Sequence, residues 1–305
     1  MSAENTATAV PPAAPSDAVP AKQARPTVRL FRMAWRYPQA KIGGVLTLII
    51  VIVAVVGPFV AKPITGYGIT DFAAKPFELA GVFGTDQLGR SVASRFLAGG
   101  LNLLIMAVLA TAIGIVLGAI VGMIAGYFGR TLDELLMRGS DVLLAFPQLV
   151  LALLAVTVIG PKPWLLVTVI GLTHAPRVAR VARQATLGVA QQDFVKAAEM
   201  YAVPRPAILG REILPNITGP LMVELGLRLT YSIGYIASLS FLGMGVQPPA
   251  ADWGLMINEN RIALVVQPWG VILPVIAIAL LAIGTNLLSD ALAHASAGLE
   301  REVEE

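Results

Sequence analysis

The chain has 305 residues, of which 56% are hydrophobic and only 13% are charged. Soluble domains carry about 25% charged residues, so this composition indicates a protein with several membrane-spanning segments. The chain has no cysteine, which excludes disulfides and thiolate chemistry, and its net charge of +3 does not indicate nucleic-acid binding. The two histidines, His174 and His294, are too few and too far apart to predict a zinc or haem centre.

Residues 1–27 are rich in Ala, Pro, Thr and Ser and are predicted to be a disordered tail. A membrane-spanning helix needs about 20 apolar residues, and six runs qualify. These runs are Ile42–Ala61, Leu101–Ala125, Val142–Ile159, Trp164–Ala179, Thr218–Met244 and Pro268–Leu288. The sequence therefore predicts an all-α integral membrane protein with six transmembrane helices. The fourth run ends in a basic series at Arg177, so we expect its helix to continue beyond the membrane.

The distribution of basic residues predicts the orientation of these spans. With both termini in the cytoplasm, fifteen Lys and Arg residues lie on the cytoplasmic side and six on the external side. This agrees with the positive-inside rule. Residues 28–100 then form the first span and an external segment, residues 101–290 form the core, and residues 291–305 form a cytoplasmic tail.

The external segment, Lys62–Gly100, is too long for a tight connection. It contains glycines that indicate turns, followed by a short helical pattern at Ser91–Ala98. Two interpretations remain open: a loop packed on the protein, or a contact surface for an external partner.

The second span carries a glycine at every fourth position, which leaves one stripe of the helix without side chains. Such a stripe allows another helix to approach closely and predicts helix packing rather than ligand binding. Its members are Gly114, Gly118, Gly122 and Gly126. In the connection that follows, Asp133, Glu134 and Arg138 are expected to pair locally, and Pro147 is expected to kink the third span.

The segment Asp193–Asn216 is charged although apolar runs flank it on both sides. Helical spacing predicts a short surface helix over residues 193–203, with Pro204 and Pro206 forcing a bend. A second short helix is expected from about Ala207 to Leu214, before Pro215.

The fifth span contains Glu224 and Arg228, four residues apart and therefore on one face of a helix. Charges at such depth usually face a bundle interior or an aqueous cavity. Arg228 could serve only to balance Glu224, or the pair could line a pathway together with Tyr231 and Tyr235.

Three motifs resemble the permeases of ABC-type importers, in the dipeptide, oligopeptide and nickel branch. The first is Lys196-Ala197-Ala198 with Ala202 and Leu214-Pro215-Asn216, which resembles the loop that docks on an ATPase subunit. The other two are Phe83–Arg90 and the pair Ser240–Pro249 with Asp252-Trp253-Gly254. The resemblance covers about residues 30 to 290. The glutamate of the family motif is Lys196 here and its turn glycine is Ala202, so the two prolines are expected to supply the bend.

The resemblance implies the transmembrane domain of a type I ABC importer in a bacterial inner membrane, coupled to ATPase subunits through residues 176–216. The implied partners are a homologous second permease in a heterodimer, two ATPase domains, an external substrate-binding protein, a peptide substrate and membrane lipid, with no nucleic acid. The residues implied in ATPase coupling are Asp193, Lys196, Ala197, Ala198, Ala202, Leu214 and Pro215.

No lysine in the chain is followed by Ser or Thr, so there is no phosphate-binding loop. No hydrolase or metalloprotease motif is present, and the chain is not expected to be an enzyme. ATP and magnesium would bind to the partner ATPases, and no cofactor or metal is expected in this chain. The alternatives are a permease for nickel chelates or a secondary transporter, which would usually have more ionisable residues within its spans.

Overall fold

The computed structural model of the chain describes residues 32–79 and 81–304, with side chains up to residue 296. Within these residues the protein is helical, and its only β-structure is two isolated bridges, Phe72 with Arg90 and Thr85 with Ser91. This agrees with the all-α class predicted from the sequence. The tail predicted over residues 1–27 lies outside the described residues.

Twelve α-helices follow one another in the described part of the chain. They are α1 (Pro38–Thr65), α2 (Val92–Ala98), α3 (Gly100–Phe128), α4 (Arg130–Leu144), α5 (Gln148–Ile159), α6 (Pro163–Ala190), α7 (Asp193–Met200), α8 (Arg205–Ala207), α9 (Leu214–Asn216), α10 (Thr218–Phe241), α11 (Trp253–Asn260) and α12 (Trp269–Glu304). A π-helical segment, Ile208–Ile213, joins α8 to α9, and a 3₁₀ turn, Arg261–Ala263, follows α11.

Four stretches of the described chain are long and apolar enough to cross a membrane: α1, α2 with α3, α6 and α12. As expected, α6 continues past the predicted end of the fourth span, to Ala190. The predicted fifth span corresponds to α10, which ends at Phe241 rather than Met244. Helix α10 is long enough, with 24 residues, but Glu224, Arg228 and several hydroxyl groups make it too polar to be among the four.

The predicted third span, Val142–Ile159, is not a single helix. It is divided between α4 and α5, which meet at an angle of 76° and together qualify as one bent span. Pro147 lies at the break with an extended ψ of 126°. Its ring disfavours helical geometry in the preceding residue, so α4 ends and α5 begins in a new direction. The kink expected at Pro147 is therefore a complete break.

The glycine stripe of α3 faces α6 at very short distances. A methyl group on Gly118 would lie 2.5 Å from Val178 Cβ and 2.6 Å from the carbonyl oxygen of Ala175. Gly114, Gly122 and Gly126 face the same helix in the same way, each with an α6 atom within 2.8 Å of an added Cβ. The stripe thus lets the α3 and α6 backbones approach closely, which larger residues would prevent.

The segment between α1 and α3 is folded onto the far end of the bundle around four buried charges. Asp86 and Glu259 accept hydrogen bonds from Arg90, at 2.7 and 3.2 Å, and Arg95 donates to Glu259 at 2.8 Å. All four side chains are at most 6% exposed. The pattern predicted at Ser91–Ala98 is α2, with Ser91 as its N-cap. The motif at residues 83–90 and the helix after Asp252 therefore form one structural unit, which we call the charge cluster unit.

Trp253 and Asp252 connect this unit to the helices. The Trp253 indole donates to the carbonyl oxygen of Phe96 at 2.8 Å, and its ring stacks on that of Phe96. Asp252 caps α11 by accepting a hydrogen bond from the Leu255 N–H at 3.1 Å. Burial raises the pKa of the Asp252 carboxyl to about 6, although the N–H groups at the start of α11 oppose that shift. The Asp252-Trp253-Gly254 motif thus has a structural role in the fold.

Residues 291–304 of the predicted tail are the last part of α12. Helix α12 continues without interruption to Glu304. Ala291 and Ala295 are fully buried and pack in a small cluster with Ala34 and Ala40. The small size of these four side chains allows the end of α12 to lie close to the start of α1.

Candidate functional site

The loop that the sequence singled out is a folded unit packed on the ends of three long helices. Val195 of α7 is completely buried and belongs to a cluster formed with α3, α6, the π-helical segment and α10. The cluster consists of Ala119, Met123, Val178, Ala182, Val195, Ile208, Ile213, Ile217 and Leu221. Movement of α7 would therefore act on this cluster, to which α3, α6 and α10 contribute residues.

The chain reverses direction after α7 at Ala202, and not at the two prolines as expected. Ala202 has a φ of +53°, in the left-handed region. The N–H of Ala202 donates to the Glu199 carbonyl at 3.0 Å, and the N–H of Val203 donates to the Ala198 carbonyl at 3.1 Å. These two hydrogen bonds form a Schellman motif, which usually places glycine at the position of Ala202. Pro204 then precedes α8 and Pro206 lies in its first turn, where proline is tolerated.

Replacing Ala202 by glycine is expected to stabilise the protein by about 0.5–1 kcal/mol, because glycine adopts the left-handed conformation without the steric cost of a Cβ. Thermal unfolding of the purified protein would measure the change. As a control, Ala197→Gly places glycine inside α7 and should destabilise by about 1 kcal/mol. A lower unfolding temperature for Ala202→Gly would contradict the assignment of strain to this turn.

The end of α3 fixes the loop from two sides. The Tyr127 hydroxyl donates a hydrogen bond of 2.6 Å to Glu199, and the guanidinium of Arg205 lies 5.4 Å from the centre of the Phe128 ring. Glu199 lies in the charged segment that the sequence predicted as a surface helix. Its partner, Tyr127, is 72 residues away in the chain, so local spacing gave no sign of the contact.

Two residues of the predicted coupling set lie apart from the surface of α7. Leu214 is half-buried and packs on the cluster beneath the loop, whereas Pro215 is exposed. The sequence predicted that the helical segment stops before Pro215, but it continues to Asn216. The N–H of Leu214 reaches the Leu209 carbonyl five residues back, and this wider turn lets helical geometry continue up to a residue that has no N–H.

The opposite side of α7 is open, and we call it the outer face. Met200 and Tyr201 are 86% and 84% exposed, although both are large and apolar. The outer face consists of Asp193, Lys196, Ala197, Met200 and Tyr201. Asp193 and Lys196 form a loose ion pair of 3.7 Å across it. Ala198, in contrast, is half-buried toward the cluster. Exposed apolar residues with a charged rim are typical of a surface that binds another protein.

Helix α4 is tied to α6 close to this loop. Arg183 donates two hydrogen bonds to Asp133, at 2.5 and 2.6 Å, and Arg180 donates one to Asp141 at 2.5 Å. The sequence predicted local pairing for Asp133, which is wrong because Asp133 bonds to another helix. Only Glu134 and Arg138 pair locally, one helical turn apart. The ties hold α4 against the extension of α6 that leads to the loop.

Within the bundle, Glu224 and Arg228 form the ion pair that their spacing favours. Arg228 Nε donates to Glu224 Oε2 at 2.9 Å, and both residues are buried. Tyr231 lies over the guanidinium, with its ring centre 5.2 Å from Arg228 Cζ, and Tyr235 stacks behind it with ring centres 6.5 Å apart. These contacts bring the four predicted pathway residues together along α10. Among them, Tyr231 is half-exposed.

A buried polar network adjoins this row and was missed in the sequence. The His174 ring bonds to Ser232 through Nε2 at 3.0 Å and to Gln148 through Nδ1 at 3.3 Å. Thr111 bonds to Ser232 at 3.0 Å. The network thus joins α3, α5, α6 and α10. Each of these residues is an isolated polar residue in an apolar run. Because polar residues are uncommon at that depth, this isolation was the sequence feature that could have indicated the network.

The exposed side of α10 differs from the exposed sides of the other long helices. It presents Tyr231, Gly234 and Ser238 in succession. The exposed faces of α1, α3 and α12 in the described residues present mainly Ile, Leu and Val. Because exposed backbone and hydroxyl groups are unfavourable against lipid, the face of α10 is suited to an aqueous space or to another protein.

Several apolar helices, one firmly held loop outside them and one polar helix face among apolar ones are the features of a membrane transport protein. The chain belongs to the family of binding-protein-dependent transport system inner membrane components, whose model matches residues 114–297. The part of the charge cluster unit at residues 83–95 precedes the matched region, whereas α3 from Gly114 onward, the loop, α10 and α11 lie within it.

Relatives with assigned names match over most of the chain. A Brucella abortus protein named as a peptide transport system permease is 35% identical over 267 residues, 88% of this chain and 90% of that protein. The dipeptide transport system permease protein DppC of Alkalihalophilus pseudofirmus is 33% identical over 213 residues, 70% of each chain. The glutathione transport system permease protein GsiD of Pectobacterium atrosepticum is 37% identical over 212 residues, again 70% of each.

A solved structure, the methionine ABC transporter MetNI in an inward-facing conformation, is similar with a TM-score of 0.49 and 17% identity. The similarity covers 64% of this chain and 94% of that chain.

Proposed function

We propose that the chain is the permease subunit of a bacterial ABC importer for di- and oligopeptides. It forms the transmembrane pathway with a homologous second permease, receives solute from an external binding protein, and is driven by two ATPase domains. The observation that carries the proposal is the outer face of α7, which is exposed and apolar although α7 itself is firmly packed on the bundle. ATP and magnesium bind to the partner ATPases, and this chain needs no cofactor. The names of the relatives support a peptide substrate.

In the proposed topology the chain crosses the membrane six times, with both termini in the cytoplasm. Helices α4 and α5 form one bent crossing, and α10 forms another whose charges are neutralised by the Glu224–Arg228 pair. The distribution of basic residues supports this orientation. In this orientation the outer face of α7 lies in the cytoplasm, where ATPase domains are found, and the charge cluster unit lies outside.

The packing explains how ATPase movement would reach the pathway. Val195 of α7 belongs to one buried cluster with residues from α3, α6 and α10, and Tyr127 of α3 bonds to Glu199 of α7. When the two ATPase domains close on ATP, a push on the outer face would therefore move the ends of these three helices together. The result is alternating access, in which the polar face of α10 opens first to one side of the membrane and then to the other.

An arginine at Ala197 tests the docking assignment. Ala197 lies on the outer face and is exposed, so Ala197→Arg should leave the fold intact but place a bulky charge in the proposed interface. We expect loss of at least about tenfold in peptide-dependent ATP hydrolysis by the reconstituted complex, because hot-spot contacts contribute about 2 kcal/mol or more. The complex would be reconstituted with its binding protein and ATPases in proteoliposomes.

Ala197→Ser is the matched control, since it changes the same position without bulk and should hydrolyse ATP at the normal rate. Ala198→Arg is unsuitable because Ala198 packs on the cluster, so its effect would report folding. Normal coupled hydrolysis in Ala197→Arg, with the ATPases still bound, would refute docking at this face. Peptide uptake by the unmodified complex tests the proposed substrate class separately.

A further inference from the structure

Arg228 lies deep within the fifth apolar run, whereas Arg177 lies at the end of the fourth. The pair of Arg228 with Glu224 does not use all of the arginine's donors. Its Nε bonds to Glu224, but its Nη1 is buried and has no hydrogen-bond partner among the described residues. A buried donor without a partner costs about 1–3 kcal/mol, and more when the group is charged. When a ligand supplies an acceptor for this donor, the unfavourable free energy is removed, and this favours binding.

The ring of Tyr231 covers the guanidinium on one side and lies on the exposed side of α10. Tyr231 is 49% exposed and lies over the guanidinium, and Gly234, one turn further along, leaves open space around its Cα. Rotation of the Tyr231 side chain would therefore expose Arg228 to a molecule on the polar face of α10. The Glu224 carboxylate stays bonded to Arg228 Nε, so the guanidinium keeps its orientation when the Tyr231 ring moves.

We propose that Arg228 and Tyr231 form a subsite on α10 that binds the terminal carboxylate of a peptide in transit. The inference rests on the proposed function, because it assumes a peptide in the pathway. A guanidinium matches a carboxylate geometrically and can hold it with two parallel hydrogen bonds. Glu224 already neutralises part of the positive charge, which keeps the contact weak enough for the peptide to leave.

The test compares a peptide that has a free carboxylate with the same peptide carrying a terminal amide. Uptake of both peptides into proteoliposomes would be measured with the same binding protein, loaded to the same extent with either peptide. The preference of the binding protein is then the same for every permease variant. The variant is the double exchange Glu224→Arg with Arg228→Glu, which keeps an ion pair at the same spacing. The neutral double variant Glu224→Gln with Arg228→Gln serves if the exchanged pair does not assemble.

We expect the unmodified permease to favour the free carboxylate, and either double variant to reduce the ratio of acid to amide uptake by about tenfold. Equal uptake of acid and amide by the unmodified protein would overturn the inference. So would an unchanged ratio in the variants, even if both rates fell, because a purely structural pair affects both peptides equally. If the unmodified complex takes up neither peptide, the proposed function fails and not only the subsite.

Discussion

Replacing Gly118 by leucine will prevent α3 and α6 from packing, and we expect no stable protein to be recovered from detergent extracts. Even a single methyl group at this position would lie 2.5 Å from Val178 Cβ and 2.6 Å from a backbone oxygen. Neither helix can move away alone, since Gly114, Gly122 and Gly126 make equally close approaches along the same line. The cost exceeds the roughly 1–3 kcal/mol of ordinary overpacking because backbone atoms are the obstacle.

The control is Val116→Leu, on the same helix and two residues away. Val116 is 55% exposed, so a larger apolar side chain there can extend outward and should change stability by less than about 0.5 kcal/mol. Yield after extraction and the unfolding temperature would be compared for the two variants. If both behaved like the unmodified protein, α3 and α6 could not be packed through the stripe.

Replacing Glu259 by glutamine will destabilise the charge cluster unit by about 3–5 kcal/mol, the typical cost of removing one partner from a buried ion pair. Glu259 accepts hydrogen bonds from both Arg90 and Arg95, and Arg95 is completely buried. Glutamine preserves the shape but not the charge, so two buried guanidinium groups would be left with Asp86 alone. The expected result is early unfolding and rapid protease cleavage between α1 and α2.

Glu134→Gln provides the comparison, because Glu134 pairs with Arg138 at the surface, where both side chains are more than half exposed. Exposed pairs contribute about 0–1 kcal/mol, so this variant should unfold like the unmodified protein. Equal unfolding temperatures and equal protease sensitivity for the two glutamine variants would show that the buried cluster does not hold the segment in place.

The sequence predicted the loop well where the determining interactions are local. Its charged helix begins at Asp193, as expected, because helical spacing and the polar composition depend on neighbours within a few residues. The turn was assigned to Pro204 and Pro206, and that was wrong. A Schellman turn at Ala202 depends on backbone hydrogen bonds and on contact with the cluster, and these stabilise a conformation that alanine alone disfavours.

The same distinction separates the ion pairs. Glu224 and Arg228 were predicted to pair because they are one helical turn apart, and the structure shows that bond. Arg95 and Glu259 are 164 residues apart, and Asp133 and Arg183 are 50 residues apart. No spacing rule relates such positions, so the sequence suggested a local partner for Asp133 and none for Glu259.

The sequence by itself determined that the protein is helical and embedded in a membrane, because burying apolar side chains in lipid depends on composition and on periodicity along a single helix. It also located the glycine stripe and the charged loop, which are properties of one segment each. Only the tertiary structure decided that the stripe of α3 meets α6, that Ala197 is open while Ala198 is packed, and that one nitrogen of Arg228 has no partner among the described residues. The physical reason is that these features depend on which surfaces meet in space, and contacts between distant segments leave no periodic signal in the sequence.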